Sequence, residues 1–119
     1  PNLKKRYCSG EKESWAIVTG ATDGIGLGFC SVLASQGINI ILISRNQEKL
    51  NNTVEYLQSI QKKLSITSQF KTIVFNFEDS HDETKIDEMM KQLENLDICL
   101  LINNVGTAFM GFAKKQSHQ

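Results

Sequence analysis

The chain has 119 residues, of which 40% are hydrophobic and 22% charged, a composition typical of one globular domain and unlike that of a disordered or fibrous protein. Its 13 basic and 13 acidic side chains cancel, which excludes the strongly basic surface that nucleic-acid-binding proteins use. Three cysteines without a Cys-x-x-Cys pair, and two histidines far apart, predict neither a zinc site nor a disulfide framework and favour a reducing compartment.

Residues 1–13 are expected to form a solvated arm in front of the domain. They include the basic cluster Lys4–Arg6 and lack the apolar segment of a signal peptide. The longest strongly apolar run of the chain is Ile38–Ile43, far below the roughly 18 to 20 residues needed to cross a bilayer. We therefore expect the chain as it stands to be soluble, with no membrane span and no nucleic-acid partner.

The first predicted element of the domain is a buried strand, "WAIVT", over residues 15–19. It runs into "TGATDGIG", residues 19–26, which places three glycines in eight residues. A helix is predicted over residues 24–36, and Gly37 is placed to end it. The apolar face of this helix consists of Ile25, Phe29, Val32 and Leu33.

Two more helices and three more strands are predicted after this helix. "INIILIS" (38–44) predicts a second strand, because near-continuous apolar runs are typical of parallel strands covered on both faces, and Asn46 is placed to cap the next helix. "FKTIVF" (70–75) predicts a third strand, Ser80–Glu83 a capping box that opens a third helix, and "DICLLIN" (97–103) a fourth strand. The side chains expected to face the core from these two helices are Leu50, Val54, Leu57, Ile60 or Gln61, Leu64, Ile86, Met89, Met90 and Leu93.

The alternation of strands and helices predicts an α/β fold with a parallel sheet, right-handed crossovers and helices on both faces. The chain is expected to form one domain, with an arm over 1–13, a body over 14–106 and a tail over 107–119. A strand order of 3-2-1-4 leaves the apolar strand 98–102 at an open edge, which native sheets avoid. We expect a protein partner, or further chain, to cover that edge.

The glycine turn between the first strand and the first helix carries the clearest functional signal. Main-chain amides and the positive end of a helix point toward an anion at such a place. By analogy with dinucleotide-binding Rossmann folds, Gly20 makes the tight turn, Gly24 lets a pyrophosphate approach the main chain, and Gly26 lets the helix pack closely on the strand. The spacing is Gly-x-x-x-Gly-x-Gly rather than the commonest Gly-x-Gly-x-x-Gly, and a purely structural loop is the alternative interpretation.

The residue at the tip of the second strand predicts the type of dinucleotide. An acidic side chain there would hold the ribose hydroxyls of NAD, whereas this chain has Ser44 followed by Arg45. A guanidinium pairs with a 2′-phosphate, so NADP(H) is favoured over NAD(H), the alternative being that Arg45 is a solvated loop residue. Asp23, whose charge is unfavourable near phosphates, is expected to cap the helix or to point away.

"TGATDGIG" (19–26) together with "INNVG" (102–106) resembles the short-chain dehydrogenase/reductase family, whose motifs are Thr-Gly-x-x-x-Gly-x-Gly and Asn-Asn-Ala-Gly. The resemblance covers residues 4–106, and "SWAIVTGATDGIG" and "LISRNQEKL" are similar to its branch of 17β-hydroxysteroid dehydrogenases and very-long-chain 3-oxoacyl-CoA reductases. It implies an NADP-dependent oxidoreductase of lipid metabolism that reduces the ketone of a 3-oxoacyl-CoA or a steroid-like lipid. The cofactor-binding residues that it implies are Gly20, Thr22, Gly24, Ile25, Gly26, Arg45, Asn76, Phe77, Asn103, Val105 and Gly106.

These residues differ in the role that the resemblance implies. The glycine turn and Ile25 would face the pyrophosphate, and Arg45 the 2′-phosphate. Asn76 stands where the family usually has an Asp at the adenine and would bond the base without a charge. Asn103 would brace the fourth strand, while Val105, in place of the usual Ala, would line the ribose side together with Gly106.

The family's catalytic residues, a Ser and a Tyr-x-x-x-Lys motif, lie beyond the fourth strand. Tyr7 and Tyr56 do not begin that motif, because Glu11 and Ile60 stand four places after them. We therefore predict no catalytic residue in this chain, expect it to be inactive alone, and interpret it as the cofactor-binding half of a reductase. The alternative is a non-catalytic Rossmann-like subunit of a larger assembly.

The resemblance suggests association with the endoplasmic reticulum membrane through a segment upstream of Pro1; mitochondrial and cytoplasmic locations are the alternatives.

Overall fold

Helices and strands alternate along the computed structural model, which describes residues 2–8 and 13–104. The predicted order of elements is confirmed, and a short helix precedes it. The elements in chain order are α1 (Leu3–Tyr7), β1 (Ser14–Thr19), α2 (Gly24–Ser35), β2 (Asn39–Ser44), α3 (Gln47–Leu64), β3 (Phe70–Val74), a 3₁₀ turn (Phe77–Asp79), α4 (Glu83–Leu93) and β4 (Asp97–Ile102).

The strands form one parallel sheet in the order β3-β2-β1-β4, as predicted. Ala16 of β1 pairs with Ile40 of β2 on one side and with Leu100 of β4 on the other. In both β1 and β2 five successive residues are buried, because helices cover both faces of a central parallel strand. Strand β4 lies at an edge of this sheet, where the sequence places it.

Each face of the sheet has its own hydrophobic cluster, since side chains alternate between faces along a strand. On one face Val18 and Leu42 pack against α2 and α3 through residues such as Leu33 and Leu57. On the other face the strands pack against α4. The buried members of that second cluster are Trp15, Ile17, Ile41, Ile43, Ile73, Phe75, Met89 and Leu93.

Helix α2 turns a different face to the sheet from the one predicted. The residues it buries are Gly26, Cys30, Leu33 and Ala34. Ile25, Phe29 and Val32 are instead 69%, 38% and 46% exposed, and we call these three side chains the α2 stripe. The inner face is set by small residues, which let the helix lie close to the sheet, so the prediction from hydrophobicity alone is wrong for three of its four members.

Helix α3 begins after Asn46, whose side chain accepts a hydrogen bond from the Lys49 amide, as its predicted capping role requires. Of the two alternatives for its inner face, Gln61 is the buried residue, while Leu64 is half exposed, contrary to prediction. The Gln61 amide Nε2 donates to the carbonyl oxygen of Ala34 (2.9 Å) and to Oγ of Ser68 (2.7 Å). These bonds offset the cost of burying a polar group.

Helix α4 begins two residues later than the predicted capping box. Asp82 is the N-cap, and its Oδ1 accepts from the amides of Thr84 (3.0 Å) and Lys85 (3.3 Å). Ser80 does not cap the helix, because its own amide donates to the Phe77 carbonyl and closes the 3₁₀ turn. Within α4, Met89 and Leu93 are buried and Ile86 and Met90 pack against the same cluster, so the predicted inward face is confirmed.

The amino-terminal arm departs most from expectation. The basic cluster Lys4–Arg6 is exposed as predicted, but it lies in the helix α1. Cys8, directly after α1, is buried and forms a disulfide with Cys99 of β4, the two Cα atoms being 5.3 Å apart. The prediction of no disulfide is therefore wrong, because the two partners are 91 residues apart in sequence and no local motif marks the pair. The third cysteine, Cys30, is buried and free.

Candidate functional site

The glycine turn has the backbone conformation that its sequence predicts. Gly20 and Gly24 have φ angles of +60° and +51°, values that other residues adopt only at a cost. A Cβ atom at Gly26 would lie 2.1 Å from the carbonyl oxygen of Gly20, so any larger residue would collide with the turn. A Cβ at Gly24 would have no atom within 4 Å. The main chain is therefore tightly packed at Gly26 and open at Gly24.

Hydrogen bonds tie this turn to the neighbouring strand β2. The Gly20 amide donates to the carbonyl oxygen of Ile43 (3.0 Å), and the hydroxyls of Thr22 and Ser44 lie 3.2 Å apart. The turn leads directly into α2, whose first amides have no partner within the helix. A positive helix end is thereby held at the carboxyl edge of the sheet.

Asp23 occupies the N-cap position of α2, but its side chain makes no capping hydrogen bond. The expectation that it caps the helix is therefore wrong. Its carboxylate accepts from the Thr22 hydroxyl (3.4 Å) and lies 3.9 Å from Nζ of Lys49 in the first turn of α3. Because the carboxylate does not cap them, the first amides of α2 are left to another acceptor.

A cleft of about 340 Å³ lies beside this turn, at the carboxyl ends of the strands. Its size is within the range of small-molecule sites, and it lies at the point where the chain order reverses around β1, the usual ligand position in open α/β sheets. We call it the strand-tip cleft. Its described lining residues are Gly20, Thr22, Asp23, Ser44, Arg45, Phe75, Asn76, Phe77, Glu78 and Asn104.

Arg45 is the only cation among these described lining residues. It follows the last residue of β2, is exposed, and forms no ion pair within residues 2–8 and 13–104. It also lines an adjoining cleft of about 320 Å³, which includes Lys85 and Glu88 of α4. In that cleft, a hydrogen bond and the charge of Asp79 raise the pKa of Lys85 above its ordinary value. Arg45 thus lines both clefts and, in the part of the chain that the structure describes, has no ion-pair partner.

The far wall of the strand-tip cleft is built after β3. Asn76 caps the 3₁₀ turn, its Oδ1 accepting from the Glu78 amide at 3.0 Å. The ring of Phe77 contacts that of Phe75 edge to face, with centroids 4.9 Å apart. This wall offers an aromatic ring and a side-chain amide next to each other, from Phe77 and Asn76.

The end of β4 is joined to β1 through Thr19, which is fully buried. The Thr19 hydroxyl donates to Oδ1 of Asn103 (3.1 Å) and accepts from the amide of Asn104 (2.8 Å). Asn103 therefore ties the two strand ends together, and Asn104 lines the cleft. Val105 and Gly106, also predicted as site residues, lie outside the described residues.

Five of the predicted site residues line one cleft, namely Gly20, Thr22, Arg45, Asn76 and Phe77. Gly24, Ile25, Gly26 and Asn103 shape its surroundings without lining it. The predicted site residues leave out the five other described lining residues, Asp23, Ser44, Phe75, Glu78 and Asn104. Asn104 lies inside the quoted "INNVG" motif, but no residue pattern distinguishes Phe75 or Glu78 from ordinary strand and turn residues.

The described residues give no sign of a metal site or of a membrane-spanning helix. Residues 2–8 and 13–104 contain no cluster of three His, Cys, Asp or Glu side chains placed to hold a metal ion. None of the helices in these two segments has both the length and the apolarity that a bilayer span requires.

Sequence and structure comparisons identify relatives of the chain. The family model for short chain dehydrogenases matches residues 14–119. The very-long-chain 3-oxoacyl-CoA reductase of Podospora anserina is 41% identical over 106 residues, which are 89% of this chain and 29% of the reductase. The chain spans less than a third of the length of the curated relatives it matches, between 26% and 29%.

Two solved structures place the same fold in longer chains. A β-ketoacyl-[ACP] reductase from Bacteroides thetaiotaomicron has a TM-score of 0.70 at 21% identity, over 90% of this chain and 55% of that one. The NADPH-dependent reductase YwfH of bacilysin biosynthesis has a TM-score of 0.59 at 26% identity, over 80% of this chain and 35% of that one.

Proposed function

Because the chain belongs to the short-chain dehydrogenase family, we propose that its strand-tip cleft binds a nicotinamide dinucleotide, and NADP(H) in preference to NAD(H). The observation that carries the proposal is the open main chain at Gly24, at the positive end of α2, together with Arg45 in the adjacent cleft, which forms no ion pair within the described residues. The NADPH dependence of the similar YwfH reductase supports the same choice of cofactor.

The pyrophosphate would bind at the turn between β1 and α2. Gly24 leaves room there for an anion to approach the backbone, and the first amides of α2 supply donors that the Asp23 side chain does not cap. The Gly26–Gly20 contact holds these amides in place. Lys49 offsets the negative charge of Asp23, which would otherwise repel the phosphates.

The adenosine end would lie between β2 and β3. Arg45 would pair with the 2′-phosphate through its planar guanidinium. Phe77 offers an apolar wall for the base, and Asn76 an amide that bonds it without charge. Asn104 lines the cleft after β4, and by the family motif Val105 and Gly106 would lie on the ribose side of the cofactor.

We further propose that the protein to which these residues belong reduces the ketone of a 3-oxoacyl-CoA or steroid-like lipid, as the name of the Podospora relative suggests. The bound cofactor supplies the hydride. This chain's residues bind and orient the dinucleotide, while the Ser, Tyr and Lys that transfer the proton are proposed to lie outside it, since neither Tyr7 nor Tyr56 begins a Tyr-x-x-x-Lys motif. Purified alone, the chain is expected to show no ketone-dependent oxidation of NADPH.

Its relatives in fatty-acyl metabolism favour a location at the endoplasmic reticulum membrane.

The test is to measure NADPH and NADH binding to the full chain and to Arg45→Gln. Loss of one charge-assisted pair predicts an NADPH affinity about tenfold or more lower, with NADH affinity changed less than twofold. Arg6→Gln is the matched control, because Arg6 is the chain's other arginine and is exposed on α1. Equal losses for both dinucleotides would contradict the NADP assignment, and no binding by the unmodified chain would contradict the function itself.

A second candidate function is a non-catalytic subunit that docks on a protein partner. It is favoured by the exposed α2 stripe and by the position of β4 at the sheet edge, since apolar stripes and open edges are usually covered. Light scattering of the purified chain separates the two candidates. A stable monomer that binds NADPH supports the first, whereas stable recovery in a larger assembly without dinucleotide binding supports the second.

A further inference from the structure

Helix α1 is too short to be stable by itself. It has five residues, none of them buried, whereas isolated helices need roughly 12 to 15 residues to be even marginally stable. Within the described residues its support comes from the side chain of Gln36 at the end of α2. The Gln36 Oε1 accepts from the amides of Leu3 (2.7 Å) and Lys4 (3.2 Å), and Leu3 packs on the core cluster below.

The covalent support of α1 is the disulfide between Cys8 and Cys99. A β-bulge in β4 makes this bond possible. Trp15 of β1 pairs with Ile98 and the next residue, Ala16, pairs with Leu100, so Cys99 is an extra residue in the ladder. Cys99 and Leu100 consequently both pack on the cluster that holds Cys8, as bulges re-aim side chains.

Cys99 also has a hydrogen-bond acceptor within reach if its sulfur is reduced to a thiol. Its Sγ lies 3.4 Å from the carbonyl oxygen of Trp15, to which a thiol can donate a weak hydrogen bond and a disulfide sulfur cannot. Cys99 is partly exposed, whereas Cys8 is only 9% exposed. Of the two residues, Cys99 is therefore the more accessible to an external thiol.

We propose that Cys8 and Cys99 are a reversible redox pair whose co-reactant is a small thiol or disulfide of the glutathione class, and that reduction of the pair releases α1 from the sheet. In reduction, a glutathione thiolate attacks the Cys99 sulfur, the S–S bond breaks, and Cys8 leaves as a thiolate that takes a proton from water. A second glutathione thiolate then attacks the glutathione sulfur of the mixed disulfide. Cys99 leaves as a thiolate that is protonated, and the glutathione disulfide formed has given up two electrons to the protein.

Cys30 does not take part in this exchange. It is fully buried in α2 and is not part of the disulfide, although it lies in the same hydrophobic cluster as Cys8. Burial raises the pKa of the Cys30 thiol to about 12, so at neutral pH it lacks the thiolate that disulfide exchange requires. This residue provides an internal control for any measurement of thiol reactivity.

The first measurement equilibrates the full chain in buffers of stepped glutathione to glutathione disulfide ratio and then counts free thiols by alkylation under denaturing conditions. We expect one free thiol, Cys30, in oxidising buffer and three in reducing buffer. Cys30→Ala should keep the change of two thiols. Three free thiols at every ratio would overturn the pair, and no change in the number of free thiols across the series would overturn its reversibility.

The second measurement follows the release of α1. Trypsin cleavage at Lys4, Lys5 and Arg6 is expected to be at least tenfold faster in the reduced chain, and the melting temperature to fall by about 10 °C because a long loop is no longer closed. Cys99→Ala should behave like the reduced chain at every ratio. Reduction of the unmodified protein tests the same release of α1 without any substitution. Equal cleavage of the oxidised and reduced chains would overturn the proposed release.

Discussion

The two ends of the sheet are held together by different kinds of interaction. At the carboxyl end, the glycine turn fixes the strand-tip cleft through its main-chain conformation, and Thr19 does so through hydrogen bonds to the motif that ends β4. At the amino end, α1 is held by one disulfide and by the Gln36 side chain, and Asn39 bonds the backbone of Ser14 (3.1 Å). The carboxyl end depends on backbone conformations that require glycine at fixed positions. The amino end depends on contacts between individual side chains, which have no such requirement.

This difference separates cofactor binding from anchoring of the arm. A change in the turn alters the position of the amides that would hold the pyrophosphate, so it should affect stability and binding together. A change beneath α1 removes support from a segment that does not line the strand-tip cleft. It should affect stability alone.

Gly26→Ala should have the largest effect, because the new Cβ would lie 2.1 Å from the Gly20 carbonyl oxygen, a backbone atom that cannot move without opening the turn. We expect a loss of about 3 kcal/mol in the free energy of unfolding and at least a tenfold loss of NADPH affinity. Chemical denaturation and a binding titration measure the two effects.

Gly28→Ala is the matched control for this substitution. Gly28 lies in the same helix, and a Cβ there would meet no atom within 4 Å. Alanine in a helix interior should stabilise the chain by about 0.5 to 1 kcal/mol and leave binding unchanged. If Gly26→Ala were as benign as Gly28→Ala, the close approach of α2 to the turn would be disproved.

Gln36→Ala should have an intermediate effect, at the amino end. It removes the acceptor of the Leu3 and Lys4 amides, which predicts a loss of about 1 kcal/mol in the free energy of unfolding. NADPH affinity should not change. Gln58→Ala, at an exposed position on α3, is the control and should change stability by less than about 0.5 kcal/mol. A fall in NADPH affinity with Gln36→Ala would show that the two ends are coupled.

The same difference explains which features the sequence predicts. The fold is predictable because the alternation of strand and helix patterns along the chain indicates a parallel sheet. The turn is predictable because the spacing of Gly20, Gly24 and Gly26 is itself a local pattern. The predicted strand order is confirmed for the same reason. The inner face of α2 is not predictable from hydrophobicity, because Gly26 and Ala34 pack inward for their small size.

The amino end is not predictable because its contacts join residues far apart in sequence that no motif marks, whereas the distant partners at the carboxyl end lie in recognisable motifs. Cys8 and Cys99 meet only because a bulge places Cys99 on the face beneath α1. Neither the bulge nor the five-residue helix has a sequence signature. In the cleft, Phe75 and Glu78 cannot be predicted as lining residues either, since their positions depend on how the 3₁₀ turn closes after β3.

Lys49→Gln should have the smallest effect, at the carboxyl end. Lys49 and Asp23 are 57% and 77% exposed and 3.9 Å apart, so solvent screens the pair and little stability depends on it. Its loss leaves the Asp23 charge beside the bound phosphates. We expect the affinities for NADPH and NADH to fall together by about two- to threefold at low salt, and less at high salt.

A substitution of the partner separates this explanation from a direct contact between Lys49 and the dinucleotide. If Lys49 acts by offsetting the Asp23 charge, adding Asp23→Asn to Lys49→Gln should restore the affinity for both dinucleotides, because no charge is left to offset. If Lys49 contacts a phosphate directly, the loss should persist in the double variant. Lys63→Gln, at the far end of α3, is the control for the removal of one positive charge from that helix. An equal loss with Lys63→Gln would mean that the net charge of the chain, rather than the Lys49–Asp23 pair, sets the affinity.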